Sequence, residues 1–118
     1  MPTRSPADWL PLPPRDLLIL IALADGVQHG YGLIKHIAES TRGAVAMDPA
    51  NLYRALKRMR RDGLVTEVMF DGQTDADRRR CYTLTRLGHQ VLRAEARRID
   101  ELAGVLRARR LLARWSGR

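Results

Sequence analysis

Apolar positions along this chain fall mostly at helical spacing, with two short runs that alternate instead. From Pro14 onward, residues 15–25 are apolar nearly all round, which predicts a buried first helix ending at Gly26. Leu33, Ile34, Ile37 and Ala38 recur at helical spacing with Lys35, His36 and Glu39 on the wet side, so His29-Gly30-Tyr31-Gly32 leads into a second helix. Residues 40–47, with Gly43, form a link. Asp48 then opens a third helix: its carboxylate can cap the first free amides, Pro49 suits the first helical position, and Gly63 ends the run. Leu52, Leu56 and Met59 give this helix a core face, and Asn51, Arg54, Lys57, Arg58 and Arg61 project from its other sides.

The alternating runs are Val65–Phe70 and residues 80–85, which read as two strands of an antiparallel hairpin. Residues 71–77 between them are polar and turn-rich, as the tip of a wing would be. No proline interrupts residues 85–113, where Leu87, Val91, Leu92, Ala96, Ile99, Leu102, Ala103 and Leu106 recur at spacings of three and four. A helix of about 28 residues there would be a rod of roughly 42 Å, longer than the preceding domain can cover. Leu92, Ala96, Ile99, Leu102, Ala103 and Leu106 are therefore expected to meet a second copy of the chain, making a homodimer. Residues 1–13 hold four prolines and are expected to form a flexible arm, with Trp9 and Leu10 apolar enough to anchor it.

The expected architecture is mainly α with a small β-hairpin (α+β). It is a winged helix-turn-helix over residues 14–85, followed by a C-terminal dimerisation helix and basic tail over residues 86–118. Charge sharpens the picture. The net charge is +8, and the surplus grows along the chain from −1 over residues 1–41 to +3 over 42–85 and +6 over 86–118. Such an excess points to nucleic acid first. Arginine outnumbers lysine 19 to 2, which suits bidentate contact with phosphate or guanine, although biased codon usage gives the same ratio.

Other chemistries find little support. Cys81 is alone, so neither an internal disulfide nor a cysteine-rich metal site can be built, and as a redox sensor it would need a cationic setting. His29, His36 and His89 are too scattered for a metal site. Gly30 and Gly32 lack the spacing and the lysine of a phosphate-binding loop and are read as easing the start of the second helix. Asp75 and Asp77 lack the apolar enclosure that tunes a catalytic carboxylate. The expectation is a protein without cofactor or enzymatic activity. Residues 17–24 are too short to span a bilayer and no signal peptide is evident, so no membrane partner is expected and the cytoplasm is the expected compartment.

The ordered set of motifs resembles the PadR family of bacterial transcription regulators across nearly the whole chain. It comprises His29-Gly30-Tyr31; Leu52-Tyr53 with Leu56, Arg58, Met59 and Gly63-Leu64-Val65; and Arg79-Arg80-Cys81-Tyr82-Thr83-Leu84-Thr85 with Gly88. The single long helix after the wing is similar to the family's short-tailed branch. The resemblance implies a dimeric winged-helix repressor on double-stranded DNA, with the third helix in the major groove and the wing on the backbone or minor groove. It also implies dimerisation through the last helix with help from the first, and often a small aromatic or cationic effector. Arg60 departs from the acidic residue common in the family, and either raises nonspecific affinity or changes a surface pair.

Asn51 and Arg54 are the expected base contacts, with Lys57, Arg58, Tyr53 and the wing residues Arg78, Arg79 and Arg80 on the backbone. Extended geometry allows at most two of those three wing arginines to face one ligand. Tyr53 either packs on the domain or sends its hydroxyl to a phosphate, the latter favoured by the resemblance. Tyr31, at a helix start that suits an anion, has packing as an equal alternative. Trp9 and Trp115 are candidates for a ligand pocket, with anchoring as the plainer role. Two rival readings remain: a winged helix that binds a protein, and a ligand or multidrug sensor with its pocket at the dimer seam.

Overall fold

The computed structural model describes residues 4–70 and 79–112. Its order is a 3-10 turn (Pro6–Trp9), α1 (Pro14–Ala24), β1 (Gln28–His29), α2 (Gly30–Ser40), α3 (Pro49–Arg61), β2 (Val65–Phe70), β3 (Arg79–Leu84) and α4 (Arg86–Ala108). The expected helices and hairpin form, and the mainly α winged helix-turn-helix architecture is present. Arg78, Trp115, the wing tip at residues 71–77 and the end of the basic tail lie outside the described residues.

Local chemistry sets the element ends. Asp48 accepts the Asn51 amide at 3.3 Å to cap α3. At the other end Gly63 sits at φ +81°, its amide donates to the Arg60 carbonyl, and the Leu64 amide reaches back to Met59. That paired closure needs a left-handed residue, which glycine supplies without strain. Thr85 caps α4 through the Gly88 amide, and the last helix lies so close to the end of α3 that a side chain at Gly88 would collide with the Leu64 carbonyl.

Ile19, Leu20, Leu23, Leu33, Ile37, Leu52, Leu56, Met59, Leu64 and Val91 are fully buried, so α1, α2, α3 and the first turns of α4 share one core. Four differences from expectation stand out. The wing is a three-stranded antiparallel sheet in the order β1-β3-β2, because Gln28 and His29 pair with Tyr82 and Cys81. Two residues are too few to show a period of two, so β1 had no signature in the sequence.

The second is the extent of the arm's anchoring, which was expected at Trp9 and Leu10 and reaches Leu12. Residues 5–12 fold against the domain: Trp9 and Leu10 pack on the core and Leu12 is buried within it. The third is the end of α4, expected near Ala113. The helix stops at Ala108, where Arg110 turns left-handed at φ +58° and the Leu111 amide closes onto Leu106. α4 is thus about 34 Å long. Nor is α1 buried all round, since Ile21 is 42% exposed.

Candidate nucleic-acid interface

The surface that could hold a polyanion is built around α3. Burial of Leu52, Ala55, Leu56 and Met59 turns the opposite side of the helix outward, and Arg54, Lys57 and Arg61 run along its exposed centre at spacings of three and four. Asn51 lies toward α1, half-buried in a cleft lined also by Pro13, Arg15, Met47 and Arg54. Tyr53 lies toward the wing.

Tyr53 and Tyr31 meet at one open cleft with His29, Gly30 and Arg80. The ring of Tyr53 lies against the start of α2, where any side chain at Gly30 would strike its hydroxyl. Gly30 is therefore needed for that close approach, a different role from easing the helix start. Tyr53 remains 47% exposed and Tyr31 74%, so packing leaves both available to a ligand. His29 caps α2 by accepting the Gly32 amide on Nδ1 at 3.0 Å, which orders the helix start beside Tyr31. Free amides there and the helix dipole favour an anion.

On the wing, Glu67 gathers two cations: Arg60 at 2.8 Å and Arg80 at 3.6 Å. Arg60 is thus part of a surface pair between α3 and β2. Arg80 keeps most of its surface in solvent and stays at the edge of the Tyr31–Tyr53 cleft. Arg79 pairs with Phe70 in the β2–β3 register.

Arg58, expected among the backbone contacts, is also tied to α1. Both terminal nitrogens of its guanidinium donate to Asp16, at 2.8 and 2.9 Å, and Asp16 is only 4% exposed. This fork, the largest influence on Arg58, holds its proton more firmly than usual. The pair balances its charge, while 43% of the Arg58 side chain stays exposed in the same cleft as Lys57 and Arg61. Two further cations line the same cleft: Arg61, one turn beyond Lys57, and Arg15, at the start of α1. The stripe from Arg54 to Arg61 carried the signal for the first. Nothing local signalled the second, because its neighbours in the cleft come from α3.

Trp9, a candidate for a ligand pocket with anchoring as the plainer role, is half-buried. It packs on the core with the Arg4 guanidinium 3.8 Å over its ring. Of the expected dimer residues, Leu92 packs partly on its own core, whereas Ile99, Leu102 and Leu106 remain exposed with Ala96, and Ala103 is half-buried. Val105, also exposed, extends that apolar face. Cys81 is buried in β3. Among the described residues no group of His, Cys, Asp or Glu side chains could hold a metal ion, and no helix is long and apolar enough to cross a membrane.

Comparison with known proteins agrees with this geometry. Residues 19–94 match the transcriptional regulator PadR-like family. The chain is 36% identical over 88 residues to an uncharacterized 37.1 kDa protein in transposon TN4556 of Streptomyces fradiae, covering 75% of this chain and 24% of that protein. It therefore spans about a quarter of the length of that curated relative. Among solved structures it is similar to a PadR family transcription regulator from hypervirulent Clostridium difficile, with a TM-score of 0.68 at 26% identity over 79% of this chain and 94% of that one. It is also similar to Bacillus subtilis PadR, solved in complex with operator DNA, with a TM-score of 0.60 at 25% identity over 68% of this chain and 45% of that one.

Proposed function

The chain belongs to the PadR-like family of transcriptional regulators, and from that premise we propose that it is a site-specific DNA-binding repressor that works as a homodimer in the cytoplasm. The observation that carries this reading is the single outward surface made by Arg54, Lys57 and Arg61 on α3, flanked by Tyr31 at the start of α2 and by Arg80 on the wing. α3 enters the major groove. Asn51 and Arg54, nearest its N-terminus, read base edges, while Lys57, Arg61, Tyr53, Tyr31 and the wing arginines Arg78, Arg79 and Arg80 hold phosphates. The resemblance in fold to a regulator solved on its operator supports that orientation.

Dimerisation follows from the exposed apolar half of α4, with Ile21 of α1 adding to it. Twofold symmetry then sets the two α3 helices about one helical turn apart, roughly 34 Å, on a pseudo-palindromic operator. A small aromatic or cationic effector bound along the α4 seam would release the DNA.

The test is binding of the purified protein to its own upstream intergenic DNA and to a scrambled duplex of equal length, by fluorescence anisotropy across a salt series. Two chains per site, tighter binding to the native fragment and a steep loss of affinity with salt are expected. Equal and salt-insensitive binding to both would remove this reading.

A further inference from the structure

Asp16 and Glu95 are the two buried carboxylates among the described residues, and DNA binding as described uses neither. They bracket one short segment. Glu95, on α4, accepts the Leu12 amide at 2.7 Å on one oxygen and the Arg98 guanidinium on the other. Asp16, in the first turn of α1, accepts both arms of the Arg58 fork from α3.

Between the two anchors lie Pro13 and Pro14, whose rings fix φ and leave the segment little freedom. The path from α4 to α3 therefore runs through one stiff link: Glu95 to the Leu12 amide, through the prolines to Asp16, and across to Arg58. Burying charge in this way is a poor route to stability, because an apolar pair of similar volume holds a fold at least as well. What fixed hydrogen bonds add is direction. Both Asp16 oxygens are committed to a planar fork that has one geometry.

We propose that Asp16 and Glu95 are positioning residues for DNA recognition. Through Arg58 and the Leu12 amide they tie the recognition helix and the N-terminal segment to the dimer helix, so that the two α3 helices meet DNA at one fixed spacing. This proposal rests on the DNA-binding reading above. It gives the N-terminal segment a task in operator choice.

The experiment uses the full chain and half-site duplexes selected with the wild-type protein. Two half-sites are placed at a series of separations, and affinity is measured for each duplex, for a single half-site and for a scrambled control. The wild type is expected to prefer one separation over its neighbours two base pairs away by about tenfold. Glu95→Gln and Asp16→Asn should each flatten that preference to about threefold or less while leaving single half-site affinity within about twofold. Arg58→Lys keeps the charge beside Asp16 without the fork, so it should flatten the profile even where Asp16→Asn does not fold. Variants that keep the wild-type spacing profile and lose only melting temperature would overturn the proposal while leaving the DNA-binding reading intact. A wild type that binds selected and scrambled duplexes alike would remove both.

Discussion

The two halves of α4 have the same apolar period and opposite surroundings. Val91 is fully buried against the domain, and Glu95, one turn on, is sealed beneath the N-terminal segment. About four turns beyond Val91, Val105 is 56% exposed, and Leu102 and Leu106 stand open beside it. Amphipathic periodicity thus marks a face that must be covered without saying by what. The first half is covered by its own chain, and the second stands open.

The sharpest way to break that comparison is to charge the open half. Leu102→Glu with Leu106→Glu should weaken self-association by about a hundredfold or more, roughly 3 kcal/mol, because two carboxylates per chain would enter an apolar seam. Sedimentation equilibrium would read this, and an unchanged dimer would place the seam elsewhere. The converse change, Val91→Ala in the closed half, should cost about 2 kcal/mol of folding stability through the lost methyl groups and the cavity they leave. Urea denaturation should show that loss, with self-association of the folded chain unaltered.

A smaller contrast of the same kind lies within α3, where Arg54 and Arg58 stand one turn apart. Arg54→Ala should cost about 1–3 kcal/mol of operator binding and leave the melting temperature alone, since this residue faces solvent. Arg58→Ala should instead reduce stability, by about 2 kcal/mol, by stranding the buried Asp16 carboxylate. If both changes acted only on DNA binding, the division drawn between them would fail.

The mildest effect is on pH. The Arg98 guanidinium first, and the Leu12 amide after it, hold the Glu95 carboxyl below its usual range against the opposing pull of burial. A lowered carboxyl contributes stability that is complete above the ordinary carboxylate value near 4 and is lost as pH falls through the lower folded value. Urea titrations from pH 6 downward should show this acid loss in the wild type and a shallower one in Glu95→Gln. Trp9 fluorescence would report whether the N-terminal segment loosens in step, and identical acid limbs in the two proteins would exclude Glu95 as the group responsible.

Much of the fold was legible because its signals are local. Asp48, Pro49 and Gly63 bound α3 within a residue of expectation, and the alternation in β2 and β3 marked the wing. The recognition surface was legible in part, since a helix whose apolar positions are known has a known outer face. Arg54 and Lys57 followed directly, and Arg61 lay on the same stripe. Arg58 did not follow, because its partner Asp16 is 42 residues away and no local pattern reports such a pairing. The N-terminal segment was legible only in part: its prolines argue against regular structure and Trp9 and Leu10 were expected anchors, but no local pattern reports the bond from the Leu12 amide to Glu95 on α4.

The sequence by itself determined which long stretches are helical, where α1, α2 and α3 begin and end, that a basic helix follows a short turn, and that the last helix has an apolar face. These rest on interactions within a turn or two of the chain, which capping, propensity and periodicity encode directly. Only the tertiary structure decided that Arg58 is forked onto the buried Asp16 carboxylate while Arg54 is left to solvent. It also decided that Gly30 makes room for Tyr53, that residues 6–12 are bound to α4, and where along α4 the core gives way to open surface. Each of these depends on groups far apart in sequence sharing one buried volume, where charge and hydrogen-bond donors must find partners that no local pattern names.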